Sequence, residues 1–211
     1  MWANDRQRQP CRACGPRLSR RPGRAAYGAT VAEFALCVVI FLGVMFFVME
    51  IARALYLWNT LQEVTRRAAY AAAVSDFSNA AVMNGVRQSA VMRDSAGPLL
   101  LGAPVTDAHI RIDYLSLTRN GDGSLTPTQI PAGNLPACPT QARINCIANP
   151  FGNSCIRFVR VRICAPDTDE CGDVAYQPVF PLTGINLTLP QSPTMTKAES
   201  LGYQPGSALC P

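Results

Sequence analysis

Three groups of residues in this 211-residue chain have types and spacings that invite chemistry. The first is Gly28 followed by Glu33 and Phe34, at the doorway of a long apolar run. A carboxylate there is costly unless it is paired or protonated, so Glu33 needs a reason. The second is a set of six cysteines, Cys138, Cys146, Cys155, Cys164, Cys171 and Cys210. An even number in an oxidising compartment points to disulfides, and six allow fifteen full pairings. They include no C-x-x-C spacing, and the single histidine, His109, is remote in sequence, so no zinc site is expected. The third is "NGDGSL", residues 120–125, where Asn120, Asp122 and Gly123 sit in register with the middle of a calcium loop. The first ligand position is then Thr118 and the last Gln129, where an Asp and a bidentate Glu are needed. A tight turn between two strands explains the same residues. With no activated serine or cysteine and no acidic pair in a recognisable setting, the chain is expected not to be an enzyme and to need no cofactor and no metal.

These groups must be positioned by elements that the hydropathy pattern makes legible. Glu33 and Glu50 bracket sixteen residues without a charge, "FALCVVIFLGVMFFVM". Extended over Ala32–Ile51, the segment reaches the ~20 residues that a bilayer-spanning helix needs. At 1.5 Å per residue the two glutamates stand about 25 Å apart, near the two faces of a membrane. No A-x-A-like cleavage site follows closely, so a conventional cleaved secretory signal is not expected, and "SRRPGR" lacks the apolar residues that follow a twin-arginine pair. The net charge of +5 is a local effect. Seven arginines and one aspartate fall in residues 1–28, which leaves twelve basic against thirteen acidic residues beyond. The excess is therefore a terminal tail and no nucleic-acid surface is expected. Arginines massed before a span place that end in the cytoplasm, giving an N-in, C-out chain. The six cysteines then all lie in the exported part, while Cys11 and Cys14 fall in the tail and Cys37 in the span.

Past the membrane the helix is expected to continue, since Ile51 to Val74 contains neither Gly nor Pro. At 100° per residue Leu55, Trp58, Leu61, Thr65, Ala68, Ala69 and Ala72 share one side. Leu55, Trp58, Leu61, Ala68 and Ala72 are read as a face for docking on partner helices; an ordinary helix covering a domain core has the same pattern. Glu50 and Arg53, three residues apart, read as an interfacial anchor. A second helix is expected over roughly 79–94, capped by Asp76 or Ser78, with Ala81, Val82, Val86, Ala90 and Val91 inward. "AGPLLLGAP" ends it. Strands follow at "HIRIDYLSLT" (109–118), "IRFVRVRIC" (156–164) and "TGINLTLP" (183–190). In the second of these Val159, Val161 and Ile163 alternate with Arg160 and Arg162, as in a strand with one wet face. The expectation is an α+β chain: a long N-terminal helix, a second helix, and a small antiparallel sheet stapled by disulfides. Its parts are a basic cytoplasmic leader (1–28), a transmembrane helix (29–52), an extracytoplasmic helical part (53–94) and a β-rich, cysteine-containing part (95–211).

Joined together, "GATVAEFAL" and "MEIARALYLWNTLQEVTRRAAYAAA" resemble the TadE-like family, minor pilin-like components of the tight-adherence (Tad/Flp) pilus system. "FPLTGINLTLPQSPTMTKAE" resembles the family's closing strand and polar tail, and residues 95–180 have no counterpart. The resemblance implies that a membrane-embedded prepilin peptidase cuts between Gly28 and Ala29 and discards the leader. Gly suits the position before the cut, because it lets the chain extend into a tight active site. The new amine of Ala29 then lies one helical turn from Glu33, and that pair offsets the cost of the carboxylate. The resemblance also implies partners: the peptidase, other Tad/Flp pilins and inner-membrane assembly proteins. The rival expectation is a single-pass anchored binding domain that is never processed.

Overall fold

The computed structural model describes residues 27–166, 170–179, 187–206 and 210. Residues 1–26 of the basic leader lie outside the described residues. The elements are helix α1 (Tyr27–Val74), α2 (Ala80–Ala90), β1 (Ile110–Arg119), β2 (Leu125–Gln129), α3 (Pro139–Ala148), β3 (Phe158–Ile163), β4 (Val174–Ala175), β5 (Thr188–Leu189) and β6 (Thr194–Lys197). The architecture is α+β, as expected. The chain divides into two compact units, Met1–Val44 and Met45–Pro211.

In the first unit the described residues belong to α1, and its apolar side chains point outward on every side. Val31, Phe34, Leu36, Val39, Ile40 and Phe41 are each more than half exposed. A helix that is apolar all round has no wet face to offer a soluble fold. Within the described residues, α1 from Thr30 is the one helix long and apolar enough to cross a membrane, with a mean hydropathy of 2.7 over its best window.

The second unit is built on the remainder of α1. Leu57, Leu61, Val64, Thr65, Ala68, Ala69 and Ala72 are buried at helical spacing, and burial of each leucine contributes about 2 kcal/mol. They face a four-stranded antiparallel sheet in the order β2-β1-β3-β6. The β1–β3 register sets Ile110 opposite Ile163, Ile112 opposite Val161 and Tyr114 opposite Val159 on the inner face. Thr65 Oγ1 lies 2.9 Å from Thr194 Oγ1, joining α1 to β6. The alanines keep α1 slim where residues 199–202 cross its end. There Ala73 O accepts from Glu199 N and Leu201 N, so carbonyls that a helix terminus leaves open are satisfied by the C-terminal segment. Gly202 adopts φ +82°, and a Cβ on it would meet the Asp76 backbone at 2.5 Å.

Several expectations need correcting. The cap of α2 is Asn79, whose side chain accepts from Ala81 N and Val82 N. Asp76 instead closes a turn on Ser78. Val86, Ala90 and the capping Val91 are buried as expected, Met83 joins them, and Ala81 and Val82 are exposed. Helix α3 was not foreseen, and its Pro139 sits at the first turn, where a missing N–H costs nothing. Of the strand expected over 183–190, residues 183–186 lie outside the described residues and Thr188–Leu189 pairs only with β4. The fourth strand of the main sheet is the polar β6. Residues of α1, α2 and the strands contribute to one core.

All six cysteines pair: Cys138 with Cys210, Cys146 with Cys155, and Cys164 with Cys171. The first closes a separation of 72 residues. The other two tie the end of α3 to the approach to β3, and β3 to the segment leading into β4. Cys37 is a free, exposed thiol.

Candidate functional site

The threshold residues all lie on α1. Gly28 and Ala29 fall in its first turn, and Glu33 and the 71 % exposed Phe34 follow within the next two turns. Glycine inside a helix costs about 1 kcal/mol relative to alanine, so this first turn is easily unwound. Among the described residues no ion pair reaches Glu33. Gly28 and Glu33 thus lie on one helix, with the exposed carboxylate a little over one turn beyond the glycine.

At the far end of the charge-free run, Glu50 and Arg53 form more than the expected i,i+3 pair. Their separation is 3.4 Å, and both side chains are more than four-fifths buried. Arg53 donates to Leu101 O (3.3 Å), Ala103 O (2.9 Å) and Gln177 O (2.7 Å), and its guanidinium lies over the Tyr176 ring at 5.3 Å. Tyr176 donates its hydroxyl to Glu50, and Val179 N donates to Glu50 Oε2 at 3.2 Å. Burial first, and then the bond to the carboxylate, raise the Tyr176 phenol above its ordinary value, so it remains a donor. The β4–β5 pair places Tyr176, whose N–H donates to Leu187 O. Two loops distant in sequence are thereby fastened to α1. Replacing Arg53 by Met is expected to cost about 2 kcal/mol, because charge-assisted bonds are lost and Glu50 is left without its cation. Amide exchange at Val179 should accelerate in the same variant. Unchanged exchange there would mean the latch holds nothing.

The face expected for helix docking splits. Leu61, Ala68 and Ala72 are fully buried in the domain's own core. Leu55 and Trp58 stay 52 % and 43 % exposed. The cause is a rotation of the buried stripe: Leu57, absent from the expected face, occupies the inward position that Trp58 was assigned. Only Leu55 and Trp58 therefore remain free for a partner.

Three other polar groups are accounted for within the fold. His109 Nδ1 accepts from Thr106 N at 3.1 Å and closes the turn before β1. Asp122 accepts from Ser124 N and Ser124 Oγ, which holds its carboxyl below the ordinary range, and Gly123 takes φ +85° in the hairpin between β1 and β2. On the outer face of the sheet Asp113 receives Arg160 at 3.0 Å, Arg162 at 2.7 Å and Arg111 at 3.4 Å. A cleft of about 500 Å³ lies between α3 and residues 197–203, with Arg143 over the Tyr203 ring at 4.7 Å. It brings together none of the residues singled out for chemistry except Cys146, which is in a disulfide.

The described residues thus form a disulfide-bonded α+β domain on a long N-terminal helix that is itself a candidate membrane span. Residues 28–69 match the model of the TadE-like protein family. The match runs from Gly28 through the apolar run into the alanine-rich end of α1. No curated protein and no solved structure matches the chain.

Proposed function

We propose that this chain is a minor pilin-like subunit, without catalytic activity of its own, that serves the assembly or initiation of a Tad/Flp-type adhesive pilus. The observation that carries the reading is Gly28 standing five residues before Glu33–Phe34, at the start of both α1 and the matched segment. A prepilin peptidase cuts after Gly28 on the cytoplasmic side and removes the arginine-rich leader. The same arginines hold that end in the cytoplasm of the inner membrane, so the disulfide-bonded domain is extracytoplasmic. Other pilins and inner-membrane assembly proteins dock through the exposed Leu55 and Trp58.

A minor place suits the size of the domain. The family resemblance implies that the major subunits of such fibres are very short helical chains, whose packing a sheet domain on every subunit would crowd. Membrane-extracted protein is expected to begin at Ala29 by intact mass, and Gly28→Phe to accumulate as full-length precursor without pili. Recovery of the leader on wild-type protein, with the peptidase present, would overturn the reading in favour of an unprocessed, anchored binding domain.

A further inference from the structure

The turn "PLLLG" between α2 and β1 presents its leucines in opposite directions. Leu99 is buried, while Leu100 and Leu101 are each 70 % exposed. The turn is fixed by Leu99 N to Val105 O (2.8 Å), Gly102 N to Leu99 O (2.9 Å) and Val105 N to Gly102 O (2.9 Å). Leu101 adopts φ +55°, a conformation a leucine rarely takes. A Cβ on Gly102 would come within 2.6 Å of Leu99 Cδ2, so the close approach requires glycine. The fold therefore maintains a shaped tip that shows two leucines to its surroundings, where turns ordinarily show polar residues.

The place of this tip on α1 identifies what surrounds it. Arg53 holds the carbonyls of Leu101 and Ala103, and Tyr56 donates to Leu100 O at 3.3 Å. Those two residues stand three and six positions beyond Glu50, about 5 and 9 Å along the axis. A span that ends at Glu50 puts that level in the headgroup layer. Val179, held on Glu50 by its N–H, adds a third exposed apolar side chain. Tyr56 and Tyr176 lie at the same level, the zone where aromatic residues concentrate at membrane boundaries.

We propose that Leu100, Leu101 and Val179 are a second membrane contact, seated at the headgroup–acyl boundary of the bilayer that α1 crosses. The proposal rests on α1 being a membrane span. The apolar tips continue the lipid-facing surface of Met49 and Ile51, and Glu50–Arg53 is the bracket that holds them there. A domain attached at two points cannot swivel freely about its helix, so Leu55 and Trp58 are presented to partners in a fixed direction.

The test uses the full chain in phosphatidylcholine vesicles, with Trp2 and Trp58 replaced by Phe and one new tryptophan at a time: Leu100→Trp, Phe41→Trp or Val82→Trp. Position 100 is exposed enough to take the larger ring. Lipids brominated just below the headgroup should quench Leu100→Trp several-fold more than Val82→Trp, and lipids brominated near the bilayer centre should quench Phe41→Trp. If Phe41→Trp is quenched while Leu100→Trp behaves like Val82→Trp, the second contact is wrong and the span stands. An unquenched Phe41→Trp removes the span and the contact together. Shielding of Leu100→Trp from aqueous iodide without quenching by any brominated lipid would show a protein on the tip, which also overturns the proposal.

Discussion

Asp113→Ala is expected to lower the stability of the second unit by roughly 3 kcal/mol, the largest loss from any single side chain in the sheet. The carboxylate is almost fully buried, and one oxygen, Oδ2, accepts from both Arg160 and Arg162. Gln129 donates to the other at 3.3 Å, so the outer face of β1, β2 and β3 converges on this group. Removing it leaves Arg111 and Arg162 as direct cross-strand neighbours with no anion between them. Like charges opposite one another destabilise a sheet, and the partial exposure of the arginines limits the cost to the lower end of the range for broken buried pairs. For a domain of this size the loss corresponds to a fall in Tm of roughly 10 °C. Thermal unfolding of the detergent-solubilised chain checks it, with Asp113→Asn expected in between because the amide keeps an acceptor. A fall of only one or two degrees for Asp113→Ala would mean that water already satisfies the arginines.

That cluster also shows where a sequence stops being legible. "FVRVRIC" reads correctly as a strand with Arg160 and Arg162 on one face, because alternation is a local property. Which acid faces them depends on register, and Asp113 meets Arg160 only once β1 and β3 are aligned. The same limit hid the latch. Glu50 and Arg53 were visible as a pair, but Arg53's strongest acceptors are the carbonyls of Ala103 and Gln177, and a carbonyl has no sequence signature. The turn at Asn120–Ser124 was legible because Asx and glycine chemistry acts within four residues.

Two missed elements failed for want of an apolar pattern. Helix α3 buries only Ala142 and leaves Ile147 74 % exposed, so it has no inward stripe to detect. Strand β6 turns Thr194 and Thr196 toward the core and Met195 and Lys197 away, and four such residues look like a polar tail. The face of α1 past the span was read one position out of phase at its start. Its alanines lie on the buried side, but a 100° wheel extended back to Leu55 and Trp58 passes over Leu57, which is the buried residue there. By contrast, the continuous helix from the apolar run into the domain was legible, since neither Gly nor Pro interrupts Ile51–Val74.

Glu33→Ala is expected to be cleaved and inserted like the wild type, yet to lose at least about ten-fold in incorporation into pili. The carboxylate is exposed on the apolar part of α1, where its desolvation is unfavourable and no ion pair reaches it among the described residues. On the proposed processing, a cut after Gly28 supplies a cation beside this carboxylate. The α-amine of Ala29 that the cut exposes would stand about 6 Å away along the axis. In water such a pair is worth a few tenths of a kcal/mol, but at the edge of a hydrocarbon layer the weaker screening strengthens it. A contribution of about 1.4 kcal/mol per subunit contact corresponds to the ten-fold effect. Pairing of this kind acts after cleavage, so the leader should be removed at a normal rate. Glu33→Asp should restore part of the incorporation, and Glu33→Gln, equal in size but uncharged, should not. Immunoblots of membrane and sheared-pilus fractions separate the outcomes. Normal piliation by Glu33→Ala would leave the carboxylate as an interfacial residue without a role in assembly. A precursor that stays uncut would place its role in recognition by the peptidase, before any amine exists to pair with it.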